Sequence, residues 1–184
     1  MNLSILPNNL PIPKDDGKCK HLLNSKIPDI ELPNQDGNML KLNREDTFSI
    51  ILYFYPMTGN PKKSLPKNWN NIPGARGCTP QTSSFVNNYY EFTKLNAIPI
   101  GISSQSIIDI KEMTTRLQVP YDILSDEKLI LAKKLNLPTF EIDKKTYIKR
   151  LTLIVRKSII KHVFYPIFPP DLHFQEINNW LERN

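Results

Sequence analysis

Cys78 is the residue in this chain whose type and position most favour chemistry. It follows an apolar run over 49–55 and a proline-rich loop, and it precedes a stretch with helical spacing over 81–95. Backbone amides and the dipole at a helix N-terminus favour an anion, so a cysteine placed there is more readily a thiolate. The flanking Thr79-Pro80 indicates a turn. We therefore predict a reactive thiol, and the alternative is a buried apolar cysteine.

The overall composition is that of an ordinary globular domain. The chain has 184 residues, of which 40% are hydrophobic and 23% are charged, and this length predicts a single domain. The net charge is +6, but the lysines are scattered without a long basic run, so we expect no nucleic-acid partner. No run approaches the roughly 18 apolar residues of a membrane span, so we expect no membrane partner.

The other residues with possible metal or redox chemistry show no ligand pattern. Cys19, His21, His162 and His173 lack metal-ligand spacing, so we expect no metal and no bound organic cofactor. The first twenty residues lack a basic start followed by an apolar core, so we expect no signal peptide. With no disulfide framework either, the sequence predicts a cytoplasmic location.

The elements that position Cys78 alternate along the chain. Residues 1–26 are proline-rich and predict an extended arm, and 27–184 predicts one domain with an insertion loop at 57–77. Strands are predicted over 27–33, 39–42, 49–55, 97–102, 139–142, 151–155 and 159–165, with a short strand or turn over 119–124. Helices are predicted over 81–95, 106–117, 126–135 and 171–181. The alternation of strands and helices predicts that part of the sheet is parallel, and the hairpin formed by the last two strands adds antiparallel pairing. The predicted fold is a thioredoxin-like three-layer α/β/α sandwich with a mixed central sheet and extra N-terminal strands.

Three short segments carry a family resemblance. They are FYP at 54–56, GCTPQ at 77–81 and RLTLIV at 150–155, and IPDIELPNQDG at 27–37 and LSDE at 124–127 agree with them. Together they resemble a peroxiredoxin, most closely the class called peroxiredoxin Q or bacterioferritin comigratory protein. The resemblance runs from about residue 27 to the end of the chain.

The resemblance assigns roles to individual residues. It implies that Cys78 is the peroxidatic cysteine, that Arg150 reaches its thiolate, and that Pro56 and Thr79 border the pocket. Arginine suits this role because it stays charged and offers a planar fork of donors. The alternative for Arg150 is a surface ion pair with a neighbouring acidic residue.

The chain departs from the family pattern at two points. The family usually has Thr or Ser three residues before the cysteine, where this chain has Ala75, so Thr58 is the predicted replacement. The resolving cysteine often found five residues after the first is Ser83 here. Reduction of an oxidised Cys78 is therefore assigned either to Cys19 or to an external thiol.

The sequence thus predicts a thiol-specific peroxidase that reduces hydrogen peroxide and organic hydroperoxides through a Cys78 sulfenic acid. A thioredoxin-like protein or a low-molecular-weight thiol would regenerate it, and the protein would be a monomer or a homodimer. Lys18, Lys20 and His21 are expected to lower the pKa of Cys19. The competing hypothesis is a non-enzymatic thioredoxin-fold redox sensor or binding protein. A disulfide reductase is disfavoured because the chain has no Cys-x-x-Cys.

Overall fold

The computed structural model describes residues 3–184, which are built around a five-stranded mixed sheet. The strands are β1 (Glu31–Pro33), β2 (Met39–Lys41), β3 (Ser49–Phe54), β4 (Ala97–Ser103), β5 (Ile123–Ser125), β6 (Thr139–Ile142), β7 (Lys145–Ile148), β8 (Leu151–Arg156) and β9 (Ile159–Phe164). The helices are α1 (Cys78–Asn87), α2 (Tyr89–Lys94), α3 (Ile107–Leu117), α4 (Ile130–Lys134) and α5 (His173–Arg183). Two 3-10 helices cover Lys20–Leu22 and Trp69–Asn71.

The central position of β3 follows from its composition. All six of its residues are buried, as expected of a strand covered on both faces. It pairs in parallel with β4, which pairs in parallel with β5, and it pairs antiparallel with β8. The β8–β9 hairpin adds a second antiparallel pair, so the predicted mixed sheet is confirmed.

The alternation of side chains along β3 divides the core into two layers. Ile51 and Tyr53 face a cluster formed with α1, α2, α3 and α5. Leu52 and Phe54 face the opposite cluster, which includes side chains from α4 and from the β1–β2 hairpin. The sheet therefore lies between two layers, and the predicted sandwich with extra N-terminal strands is confirmed.

Two helix predictions are wrong in extent. The helix predicted over 81–95 begins instead at Cys78 and is divided at Asn88, whose φ of −110° and ψ of 15° leave the helical region. The Asn88 side chain donates 2.8 Å to the Ser84 carbonyl, in the way that asparagine ends helices by bonding nearby backbone. The helix predicted over 126–135 is only α4. Its predicted cap, Asp126, nevertheless accepts bonds from the first three amides of α4 at 2.6, 3.2 and 2.9 Å.

The sequence prediction also omitted one strand and placed another too early. β7 pairs antiparallel with β6 in a separate two-stranded sheet, and it was not predicted. Its residues, KTYI, follow an Asp143-Lys144 turn in which both residues have positive φ. The segment 119–124, predicted as a short strand or turn, contains only the start of β5, which begins at Ile123.

The N-terminal residues from 3 onward lie against the sheet domain. Leu3, Cys19 and Leu22 are buried, and the first 3-10 helix anchors this segment to the core that contains Leu52. Across residues 3–184, the helices are too short or too polar to span a membrane.

Candidate active site

The pairing of β8 with β3 places Arg150 beside the end of β3. Leu151 is paired with Phe54, so Arg150, one residue earlier, lies next to Tyr55. Because side chains alternate along a strand, Arg150 projects from the same sheet face as Thr152. That face is the one covered by α1.

Cys78 is the first residue of α1, in a position that depends on the glycine before it. Gly77 has φ of 101°, a left-handed conformation that glycine adopts without steric cost. A Cβ added to Gly77 would lie 2.5 Å from Pro170 Cγ, so a larger residue does not fit there. Cys78 is only 2% exposed. A thiolate at this place is stabilised by the N-terminal end of a ten-residue helix.

Arg150 contacts the sulfur directly. Its Nη2 lies 3.1 Å from Cys78 Sγ, and the same nitrogen lies 3.2 Å from the carbonyl oxygens of Gly74 and Arg76. Its Nη1 donates to Gln81 Oε1. Arg150 is 3% exposed, so the alternative of a surface ion pair is wrong. Three other acceptors therefore hold the guanidinium against the thiol, and a single flexible ammonium would not reproduce this planar arrangement.

Gln81 is the site residue that the sequence reasoning missed. It lies three residues after Cys78, on the same side of α1, and it is completely buried. Its Oε1 is the acceptor that orients Arg150. Gln81 is the last residue of the GCTPQ motif, but its position in the sequence does not show that it bonds to Arg150.

The two predicted pocket residues are both buried near the ends of their elements. Pro56 follows the end of β3 and its carbonyl accepts a bond of 3.0 Å from Ser103 Oγ. Thr79 is 1% exposed, and its Oγ1 has no hydrogen-bond partner within residues 3–184. Thr79 follows Cys78 in the first turn of α1, so this buried hydroxyl belongs to the same end of the helix.

Two buried tyrosine side chains lie in the same core cluster as the Cys78 thiol. Tyr53 and Tyr55 pack in the same cluster as Cys78, and burial raises the pKa of each well above its ordinary value. Both are therefore neutral at physiological pH. The Tyr53 hydroxyl lies 3.2 Å from that of Tyr121, which satisfies it within the core.

Thr58 is not brought to the thiol by the bonds that the structure gives it. Its amide and its Oγ1 both donate to Gln105 Oε1, at 2.9 and 3.1 Å, and its carbonyl accepts from Gln105 Nε2 at 3.2 Å. The Thr58 hydroxyl therefore bonds to Gln105, in the loop after β4. The prediction that Thr58 replaces the missing Thr or Ser beside Cys78 is not supported by these contacts.

Cys19 lies on the other side of the sheet from Cys78. It packs with Leu52 and Phe54, whereas Cys78 packs with Tyr53. A disulfide requires Cα atoms about 4.4–6.8 Å apart, so bonding across the sheet would require the arm to leave its place. The expectation of a lowered pKa is wrong, because burial, with the charges of Asp16 and Asp15, raises the pKa of Cys19 to about 12.

A cavity of about 300 Å³ opens beside Arg150. Its walls are mostly apolar. They include Pro13 and Lys14 of the N-terminal arm, together with Ile72, Phe140, Arg150 and Ile167. Ile167 belongs to the YPIFPP segment after β9. Within residues 3–184, no three His, Cys, Asp or Glu side chains converge to hold a metal ion.

A buried thiol at a helix start, with a buried arginine on that thiol, therefore lies on a thioredoxin-like sheet. A family profile described as Redoxin matches residues 22–181, and the chain belongs to the Redoxin family. The rice (Oryza sativa subsp. japonica) chloroplastic peroxiredoxin Q is 28% identical over 153 residues, which cover 83% of this chain and 63% of the rice protein. The Sedum lineare chloroplastic peroxiredoxin Q is 26% identical over 173 residues, covering 94% and 84% of the two chains.

Solved structures agree with the fold. Peroxidoxin BcpB from Mycobacterium tuberculosis superposes with a TM-score of 0.71 at 22% identity, covering 88% of this chain and 96% of that one. PrxQ from Xylella fastidiosa, solved as a cysteine-to-serine mutant, gives a TM-score of 0.68 at 19% identity, covering 95% and 96%. The resemblance to peroxiredoxin Q that the sequence indicated is therefore confirmed. The chain spans less than two thirds of the length of the rice relative.

Proposed function

We propose that this protein is a thiol peroxidase that reduces hydrogen peroxide and organic hydroperoxides through Cys78. The observation that carries the proposal is the 3.1 Å contact of Arg150 Nη2 with Cys78 Sγ at the start of α1. The thiolate, not the thiol, is the nucleophile, and both the helix end and the guanidinium favour it. Family membership and the peroxiredoxin Q relatives support the same assignment.

In the oxidative step the Cys78 thiolate attacks one peroxide oxygen. The S–O bond forms as the O–O bond breaks, and the leaving oxygen takes up a proton as water or an alcohol. The sulfur is oxidised to the sulfenic acid, and the peroxide is reduced. Arg150 contributes because donors placed where charge develops on the leaving oxygen lower the barrier. Gln81 acts as a positioning residue, since its Oε1 fixes the direction of the guanidinium.

For the reductive step we propose an external thiol, either a thioredoxin-like protein or a low-molecular-weight thiol. One thiol displaces water from the sulfenic acid to form a mixed disulfide, and a second releases Cys78 and the oxidised reductant. Cys19 is the alternative resolving cysteine. Its raised pKa and its place across the sheet disfavour it, because the attacking group must be a thiolate within reach.

A redox sensor that oxidises but does not turn over is the second candidate. The observation that favours it is the hydroxyl of Thr58, which bonds to Gln105, so the donor usual in the family has no evident replacement. The burial of Cys78 also hinders a protein reductant.

Turnover separates the two candidates. We expect sustained loss of hydrogen peroxide and of cumene hydroperoxide with a thioredoxin system or with dithiothreitol, and none with Cys78→Ser. The matched control is Cys19→Ser, which should retain turnover with dithiothreitol. A single equivalent of oxidation without further peroxide loss would favour the sensor, and wild-type turnover by Cys78→Ser would refute both candidates.

The cellular location and the assembly are further proposals. We propose the cytoplasm, because the two cysteines of the chain lie far apart and show no disulfide framework. Fractionation of cells that express the protein tests this. A monomer or a homodimer is proposed, and sedimentation tests it.

A further inference from the structure

The N-terminal arm crosses the loop that carries the reactive thiol. Residues 3–16, the first part of the N-terminal arm, precede the region matched by the family profile, which begins at residue 22. The arm contacts the domain near both of its ends and at the loop 74–77 between them.

The middle contact covers the start of α1. A Cβ built on Gly77 would lie 2.7 Å from Leu6 Cδ2, so the Leu6 side chain rests directly on the residue before Cys78. The carbonyl of Ile5 lies 3.5 Å from Arg76 Nη2, a long hydrogen bond. Leu6 and Pro170 thus cover the N-terminal end of α1, where Cys78 is only 2% exposed.

Contacts at the two ends of the arm, made by Leu3 and by Asp16, hold it against the domain. Leu3 is buried against Gly59, where an added Cβ would lie 2.9 Å from its Cδ1. At the other end, Asp16 accepts bonds from Lys149 Nζ at 3.0 Å and from Tyr165 Oη at 2.9 Å. Desolvation opposes its ionisation, but these bonds lower the pKa of Asp16 to about 2, so the carboxylate is charged at neutral pH. Partly exposed pairs of this kind are weak, so such a fastening can open.

The arm also forms one wall of the cavity beside Arg150. Pro13, Lys14 and Asp16 line it, together with Phe140. The cavity has a volume of about 300 Å³ and reaches Arg150, whose Nη2 contacts Cys78 Sγ, although Cys78 itself does not line it. The helix end itself is covered by Leu6 and Pro170, which both lie against Gly77.

We infer that residues 3–16 form a strap that selects by size what reaches Cys78. Small reagents approach through the cavity beside Arg150, whereas a bulky hydroperoxide or a protein thiol reacts only after the strap has lifted. The strap is thus a specificity-determining part of the site. The inference relies on the proposed function only for the reactivity of Cys78.

Alkylation of the reduced full-length protein tests the strap without peroxide. The rate at Cys78, assigned by peptide mapping, is measured with N-ethylmaleimide and with a maleimide carrying a long polyethylene glycol chain. The ratio of the two rates cancels any change in the thiolate fraction, because both reagents react with the same group. Failure of the peroxidase proposal would leave this ratio unaffected.

The variants separate the strap from general effects. Leu6→Ala and Asp16→Ala should each raise the bulky-to-small ratio about fivefold or more, since reaction through local opening follows the population of the open form. Ile12→Ala removes an exposed arm side chain, and Asp29→Ala removes an exposed ion pair with Lys41, so both should match wild type. Equal ratios in all five proteins would overturn the inference.

A reversible lock compares two forms of one protein, so the strain of a cysteine at Gly74, whose φ is 78°, is shared by both forms. A Cβ on Gly74 would lie 3.6 Å from Pro13 Cβ, within the roughly 3.5–4.5 Å that a disulfide spans. The double variant Pro13→Cys, Gly74→Cys is compared in its disulfide form, with Cys78 still reduced, and after reduction. We expect the bulky reagent to react about fivefold more slowly in the locked form, with little change for the small reagent. The same bulky rate in both forms would overturn the inference.

Discussion

Replacing Arg150 by methionine tests whether the guanidinium activates the thiol. The change keeps a long, flexible side chain but removes the Nη2 donor that lies 3.1 Å from Cys78 Sγ. It also leaves Gln81 Oε1 and the carbonyls of Gly74 and Arg76 without that donor group. The substitution should therefore slow the reaction with peroxide and also lower the stability of the fold.

The size of the rate effect follows from the single contact with sulfur. A hydrogen bond to a charged group contributes about 1.5–3 kcal/mol, and each 1.36 kcal/mol changes a rate tenfold. We therefore expect Arg150→Met to react with hydrogen peroxide about 10- to 150-fold more slowly. Leaving a buried acceptor unpaired costs about 1–3 kcal/mol, and three acceptors lose their donor, so the expected loss in the free energy of unfolding is about 3 kcal/mol or more.

The assay is the second-order rate constant of Cys78 oxidation by hydrogen peroxide, followed in a stopped-flow instrument, with unfolding in urea measured separately. Arg156→Met is the matched control, because Arg156 lies at the other end of β8 and bonds to Ser49 Oγ and to the Asn184 carbonyl. Its rate should stay within about twofold of wild type, as usual for changes away from the site. A folded Arg150→Met protein that reacts as fast as wild type would refute the role of Arg150.

Three further predictions concern other residues. Thr58→Val should lower the free energy of unfolding in urea by about 1 kcal/mol through the lost bond to Gln105, with little change in peroxide rate; a large rate loss would restore Thr58 to the site. Cys19→Ala should keep its peroxide turnover with a thioredoxin system; loss of that turnover, with turnover by dithiothreitol retained, would identify Cys19 as resolving. Burial lowers the pKa of His173, so below about pH 6.5 the unfolded state binds more protons and stability falls as pH falls. His173→Gln should therefore lose less unfolding free energy than wild type between about pH 7.5 and 5.5, and an equal loss would contradict this.

Much of the fold was predictable because its elements have strong local patterns. The apolar run of β3 and the alternation of later strands and helices were enough to indicate a mixed sheet. Element ends were less predictable, since they depend on single residues such as Asn88, whose backbone conformation is set by its contacts. β7 escaped prediction because only two of its four residues are fully buried, which leaves little apolar pattern.

The site was predictable where sequence motifs and strand register coincide. Cys78 and Arg150 lie 72 positions apart, and the pairing of β8 with β3 brings them together. Thr58 and Cys19 could not be placed from sequence, because their surroundings depend on the paths of a long loop and of the arm. Local cations suggested a low pKa for Cys19, but burial by distant residues outweighs them.

The most direct test of the central claim is mass spectrometry after one equivalent of hydrogen peroxide in the presence of dimedone, followed by peptide mapping. We predict a dimedone adduct on Cys78 while Cys19 remains a free thiol. A Cys78–Cys19 disulfide would instead assign the reductive step to the arm. An unmodified Cys78 would contradict the claim that this thiol, held by Arg150, is the peroxide-reactive centre.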